Sequence, residues 1–376
     1  MDIGELIREL RTAHGWSQAR LADEINAVHR TTLTREYVAR WERGKVAPRG
    51  FYLAALSSTL DVPLAVLEDP VLRRTFLTDV AGTAIAPVVA SDLLAKGFAA
   101  RLAGGPSPEA WEAKLAAYGT EYMSMGAADI QRRVSGELVV VQQQLDDPRL
   151  WSAAARLMTL YAKTFPGSDG AAAVRWYRMA AQAADESADP DTRIWVRGRA
   201  AIALGYEGAS LGVADTLADQ ALALADGRPS LGLLNALYGK AHSAALRGDH
   251  QTARDLDAQG LRIFDAAGSH EQTSDYAVPW WRLNIFRSLL LARLGDERAA
   301  VQAQGQALAE LPATLPRFAT HLQLHQGLML ARSGDQPGGT AHATAAMNAL
   351  PPEKHSLTLR MLLNEITGRQ TVGNPL

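Results

Sequence analysis

The chain has 376 residues, no cysteine and a formal net charge of −2. That excludes disulfides, thiolate metal sites, iron–sulfur clusters and thiol nucleophiles, and it excludes a polycation that coats nucleic acid with its whole surface. A hydrophobic fraction of 47% belongs to a globular protein, the length allows two or three domains, and heavy alanine use with few β-branched runs predicts an all-α fold.

Residues 1–69 read as five short helices. Asp2 and Glu5 make a capping-box-like start for a helix with Ile3, Leu6, Ile7 and Leu10 on one face, ended by Gly15. Ser17 caps a second helix carrying Leu21, Ala22 and Ile25, and the stretch from Asn26 to Leu33 reads as a long connection. Thr34 is placed to cap a third helix, which runs through Val38 and Trp41 to a stop at Gly44. A fourth covers about Phe51 to Leu60, and a fifth begins near Pro63. Between His29 and Gly50 stand Arg30, Arg35, Arg40, Arg43, Lys45 and Arg49, against only Glu36 and Glu42. A local basic surface on a neutral protein is a nucleic-acid footprint.

The strings Ser17-Gln18-Ala19-Arg20-Leu21-Ala22 and Tyr37-Val38-Ala39-Arg40-Trp41-Glu42-Arg43-Gly44-Lys45 resemble the phage-repressor/Cro, or Xre, type of helix-turn-helix. The resemblance implies a lambda-repressor-like fold with Trp41 in its core and the third helix entering the major groove N-terminal end first. On that reading Arg35, Glu36 and Arg40 contact bases, since Arg binds guanine O6 and N7 and Glu accepts from cytosine N4. Gln18 bridges phosphate and base by carry-over from the family. Ser17, Thr34, Arg43, Lys45 and Arg49 serve phosphates, which position the reader without specifying sequence. The alternative for Arg35, Glu36 and Arg40 is a solvated face with an i,i+4 pair between Glu36 and Arg40. Such readers bind as dimers on half-sites, so a homodimer held by the C-terminal region and a palindromic double-stranded DNA operator are expected.

Residues 70–108 read as a connector. Arg73-Arg74-Thr75-Phe76-Leu77 before the apolar run Ala81–Ala90 resembles a twin-arginine export signal, but it follows a complete domain and is too short to span a bilayer. With no apolar signal core at the N-terminus, a cytoplasmic protein without a membrane segment is expected.

Residues 109–370 carry helical pattern almost throughout; Leu138–Val141 looks strand-like, but the following glutamines and Leu145 continue a helical period. The string Ala-x5-Gln-[Ala/Gly]-Leu recurs at Ala214–Leu222, Ala253–Leu261 and Ala300–Leu308. Gly248-Asp249, Gly295-Asp296 and Gly334-Asp335 align as turns. Around them fall small residues at Ala241, Ser288 and Gly327, at Ala253, Ala300 and Gly339, and at Gly260, Ala307 and Ala346, with Pro312 and Pro351 as stops. Stacked helical hairpins need small side chains where they meet. The pattern resembles tetratricopeptide repeats over 231–352, with two degenerate units in 151–230. It implies an α-solenoid.

At a position that often lines the groove of such arrays stand Asn235, Arg282 and His321, and Tyr238 and His242 continue the first stripe. Each is a candidate effector contact or a cross-link between repeats. The whole combination is similar to Gram-positive pheromone-receptor regulators, which implies a peptide or small-molecule effector; the alternative is a repeat scaffold governed by a protein partner. No cofactor motif, metal set or enzyme is expected. Gly208-Ala209-Ser210-Leu211-Gly212 matches a hydrolase pattern that works only on a strand-to-helix elbow, and here it falls between two helices. His321 and His325 are spaced for a metal but lack a third ligand.

Overall fold

The structure is a computed structural model, and it describes residues 3–13, 16–29, 31–48, 50–60, 67, 86–165 and 170–368. The expectations at Gly15, Arg49, Pro63 and the Arg73–Leu77 stretch lie outside the described residues. The chain divides into two compact units, Met1–Ala95 and Lys96–Leu376.

In the first unit, α1 (Ile3–Ala13), α2 (Gln18–His29), α3 (Arg35–Glu42) and α4 (Phe51–Thr59) surround a small core. Ile3, Leu6, Ile7 and Leu10 all turn inward, as their spacing requires, and meet Leu21, Ile25, Val38, Trp41 and Leu56. Trp41 is 2% exposed and packs its ring 5.3 Å from that of Tyr52. α1 crosses α3 so closely that a side chain at Gly4 would collide with the Trp41 carbonyl. The connection between α2 and α3 is shorter than the sequence reading had it, because α2 continues through Asn26 to His29. Asn26 then reaches forward: its amide donates to the Leu33 carbonyl at 2.8 Å, and its Oδ1 accepts from Thr31 Oγ1 at 2.6 Å and from Leu33 N at 2.7 Å.

The second unit takes in the end of α5 (Ala86–Ala103) and then α6 (Pro108–Ser124) and α7 (Ala127–Gln142). Leu138–Val141 lies inside α7, so the helical period prevails. The last turns of α5, expected to be connector, pack on α7: Gly97 faces Val139, and Arg101 bonds the Gln143 carbonyl and Asp146. Five helical hairpins follow. They are α8 (Leu150–Ala162) with α9 (Gly170–Glu186), α10 (Pro190–Glu207) with α11 (Leu211–Ala225), and α12 (Leu231–Leu246) with α13 (His250–Ala267). α14 (Trp280–Arg293) pairs with α15 (Glu297–Glu310) and α16 (Pro316–Arg332) with α17 (Gln336–Ala349), and α18 (Leu357–Thr367) packs on the last pair.

The repeat logic is visible at the turns. Gly248, Gly295 and Gly334 hold φ of +82°, +72° and +104°, where a β-carbon would be strained. The following Asp249, Asp296 and Asp335 cap the next helix, accepting from the N–H groups of Thr252, Ala299 and Gly338. Ala241, Ser288, Ala253, Ala300 and Ala307 are fully buried between helices. In the last unit Ala346 is only half-buried, and Ala343 and Met347 occupy the contact instead. The closest approach is between α10 and α12. A side chain at Gly198 would strike the Gly232 carbonyl, and one at Gly205 the Gly239 carbonyl. Gly208–Gly212 is the turn from α10 to α11, with no strand before it. No helix among the described residues is long and apolar enough to cross a membrane.

Candidate nucleic-acid interface and the repeat-domain cavity

α3 presents two faces. Val38 and Trp41 are buried where α3 packs on α1 and α2, and the Trp41 ring also meets Tyr52 of α4, while Arg35, Glu36, Tyr37 and Arg40 are exposed. No ion pair joins Glu36 to Arg40 among the described residues; the Arg40 guanidinium lies 5.9 Å from the centre of the Tyr37 ring. The Glu36 backbone N–H, and after it the Thr34 hydroxyl, hold the Glu36 carboxyl below its usual range. That explains a departure from expectation at Thr34. It stands at the N-cap position in extended conformation but makes no cap bond to the backbone, its hydroxyl facing the Glu36 carboxylate instead. Ser17 does cap α2, accepting from Arg20 N at 3.1 Å.

One network in this unit was not read from sequence. Glu42, 8% exposed, accepts from Arg11 Nε at 2.6 Å and from Gln18 Nε2 at 2.7 Å, and Arg11 also donates to the Trp16 carbonyl at 2.6 Å. Gln18, expected to bridge phosphate and base, is thereby tethered at the start of α2 through its Nε2. The signal lay in Glu42 standing next to Trp41, one residue along from a core position. Arg43 folds back to donate to the Ala39 carbonyl at 2.9 Å, and Lys45 is exposed.

In the second unit the expected effector residues separate. Asn235, Tyr238 and His242 lie on α12, thirteen of whose sixteen residues are buried, and none of the three lines the cavity described next. Tyr238 donates to Asp257 at 2.8 Å, and His242 Nδ1 is 3.1 Å from a buried Arg293 nitrogen. Tyr238 thus ties α12 to α13 and His242 ties it to α14, while Asn235 is buried where α12 packs between α10 and α14. Arg282 and His321 do line a cavity, one of about 70 Å³ that opens to solvent.

The polar wall of that cavity holds Lys163, Arg199, Arg282 and Arg317 with Asp275 and Glu207. Asp275, 3% exposed, accepts from Lys163 Nζ at 2.5 Å, Arg282 at 2.8 Å and Arg199 at 3.1 Å. Burial works against its charge, but those three cations keep its carboxyl well below the ordinary range. Burial and then the neighbouring Arg199 push the Lys163 ammonium well down. Burial raises Glu207 to about 7, while the Thr358 hydroxyl, 2.6 Å away, opposes the shift. His321 falls to about 3 through burial and the adjacent Arg317 and Arg282. Its Nδ1 meets the Tyr206 hydroxyl at 3.2 Å, and that hydroxyl also meets His325 Nε2 at 2.8 Å. Both imidazoles are neutral at physiological pH, and His321 is the one that lines the cavity. The pair spaced for a metal is spent on this chain of hydrogen bonds, and no group of three candidate ligands occurs among the described residues.

Among protein families, residues 7–67 match the helix-turn-helix family. No curated protein matches the chain. Among solved structures, the crystal structure of Bacillus thuringiensis PlcR in complex with the peptide PapR7 and DNA aligns at 15% identity. The alignment covers 70% of this chain and 95% of that one with a TM-score of 0.36, an overlap too loose to carry an argument. The family match and the geometry of α2 and α3 agree on one segment: residues 7–67 of this chain are a helix-turn-helix domain.

Proposed function

We propose that the protein is a sequence-specific DNA-binding transcriptional regulator whose repeat domain senses a small effector. The observation that carries the DNA reading is α3 itself. Its inner face is locked by Trp41 and Val38, so the exposed Arg35, Glu36 and Arg40 are presented on a rigid element. In this motif the N-terminal half of that helix reads base edges in the major groove. Gln18, held by Glu42, stands at the N-terminus of α2, where backbone N–H groups favour a phosphate. Arg43 and Lys45 follow α3 and suit the DNA backbone. Ser17 and Thr34, at two helix starts, belong to the same set.

One such module makes few contacts, so two copies on half-sites about one DNA turn apart are the expected arrangement, with a palindromic operator. The exposed Phe98 and Leu102 on α5 are consistent with a face that a second copy covers. The cavity beside Arg282 and His321 supports the sensing role, since it combines an apolar wall with convergent charged groups.

Genome-wide footprinting of the tagged protein, followed by duplex titration across salt concentrations, tests the reading. Recovered sites should be palindromic, and Lys45→Ala should weaken every duplex and lower the salt slope by about one. Failure to find any duplex bound in a salt-dependent way would sink the proposal.

A further inference from the structure

The cavity of the repeat domain has more positive charge than its own residues balance. Three guanidinium groups, Arg199, Arg282 and Arg317, and the Lys163 amine, whose charge burial opposes, face two carboxylates, of which burial raises Glu207 to about 7. Asp275 is thus the one firm anion, and it already serves three of the four. Arg317 donates to the carbonyls of Tyr122 and Met123 and lies over the rings of Tyr122 and Phe318, and no carboxylate pairs with it among the described residues. The Nε–H groups of Arg199 and Arg282, residues 6% and 4% exposed, have no hydrogen-bond partner.

A buried cluster with a purely structural role should balance its charges, because an unpaired buried cation is among the costlier things a fold can hold. The rest of the wall is different in kind: Ile202, Ile285, Phe286 and Phe318 are apolar. We propose that this cavity binds an amphipathic organic acid, its carboxylate set among Arg199, Arg282, Arg317 and Lys163 and its apolar body against Ile202, Ile285, Phe286 and Phe318. Guanidinium groups fit a carboxylate in planar, two-bond geometry. The anion would restore the balance and draw the depressed Lys163 back toward its charged form. The carboxylate could belong to a free acid or to the C-terminus of a short apolar peptide; both offer the same head and body.

This proposal rests on the sensing role above and names the chemistry of its ligand. It is tested by calorimetry on the full chain with four probes: octanoate, octanamide, acetylated leucyl-phenylalanine and the amide of that dipeptide. At least one acid should bind about tenfold to a hundredfold more tightly than its amide, the difference expected for charge-assisted hydrogen bonds. Tighter binding of octanoate identifies a free acid, and tighter binding of the dipeptide a peptide terminus. Arg317→Gln should lose about tenfold, whereas Arg247→Gln, which alters a surface pair with Asp215, should bind as the parent does. If Arg317→Gln does not fold, the acid-against-amide contrast on the parent chain decides alone. Equal binding of acid and amide overturns the proposal, as does failure of both acids at millimolar concentration or binding of inorganic phosphate in their place. Repeating the DNA titration with the acid bound separates the two readings: unchanged DNA affinity removes the sensing role and leaves the site intact.

Discussion

The two units use charge in opposite ways. In the helix-turn-helix unit the arginines of α3 are held outside a small apolar core, with Glu42 as the one buried carboxylate among the described residues. In the repeat unit Arg199, Arg282, Arg293 and Arg317 are drawn inside, between helices and against a cavity. A reader must meet a large anionic partner at its surface, so its arginines remain hydrated until DNA arrives. A stack of hairpins has room to enclose charges and can hold them, partly compensated, for something small enough to enter. It follows that the reader's arginines should matter for binding and little for stability, and that the enclosed charges should matter for both.

The sharpest test of that contrast is Asp275→Asn. It leaves Lys163, Arg199 and Arg282 around a neutral amide and should cost about 3–5 kcal/mol in denaturant unfolding of the repeat unit. A loss below about 1 kcal/mol would mean that water already compensates the cluster. Glu42→Ala asks the same of the buried Arg11–Glu42 pair in the reader. It strands Arg11 and frees Gln18, and a destabilisation of about 3 kcal/mol of the first unit is expected, with weaker DNA binding even at temperatures where the unit stays folded.

Glu207→Gln gives an effect of opposite sign. The native carboxyl is raised to about 7, above its value in the unfolded chain, so the stability tied to its proton is complete below the unfolded value and is lost as pH rises through about 7. The amide keeps an acceptor for Thr358 and has no proton to lose. The variant should therefore exceed the parent by about 2 kcal/mol near pH 8 and converge with it toward about pH 5, as read by thermal unfolding at the two pH values. A difference that does not change with pH would show that Glu207 is ionised throughout.

Helix periodicity and turn chemistry made much of this architecture legible. Ile3, Leu6, Ile7 and Leu10 could only face one way, and the Gly-Asp pairs at 248, 295 and 334 could only be turns that start helices. The inner and outer faces of α3 followed from Val38 and Trp41. What the pattern could not show was which repeat faces remain open. Asn235, Arg282 and His321 occupy equivalent repeat positions, yet Asn235 is walled in by neighbouring helices while the other two border the cavity. The difference is made by residues far away in sequence, such as Lys163 and Thr358, and no single-helix period reports on them. The Arg11–Glu42 pair, 31 residues apart, was hidden for the same reason.

The smallest expected change in stability comes from Arg40→Ala, and for that reason it says most about the reader. Arg40 is exposed, has no ion pair among the described residues and touches only the Tyr37 ring, so its removal should alter unfolding by no more than about 0.5 kcal/mol. If the outer face of α3 lies in the major groove, the same variant should lose about 1–3 kcal/mol of discrimination at one base position of each half-site, measured by competition among single-base operator variants. The parent and variant would then bind random duplex alike, because phosphate contacts belong to other residues. Uniform weakening on every duplex would instead move Arg40 into the class of Lys45 and shift base reading toward Arg35 and Glu36, at the very start of the helix. Stability that falls together with specificity would erase the contrast between the units, since it would mean that the reader, too, keeps its arginines for the fold.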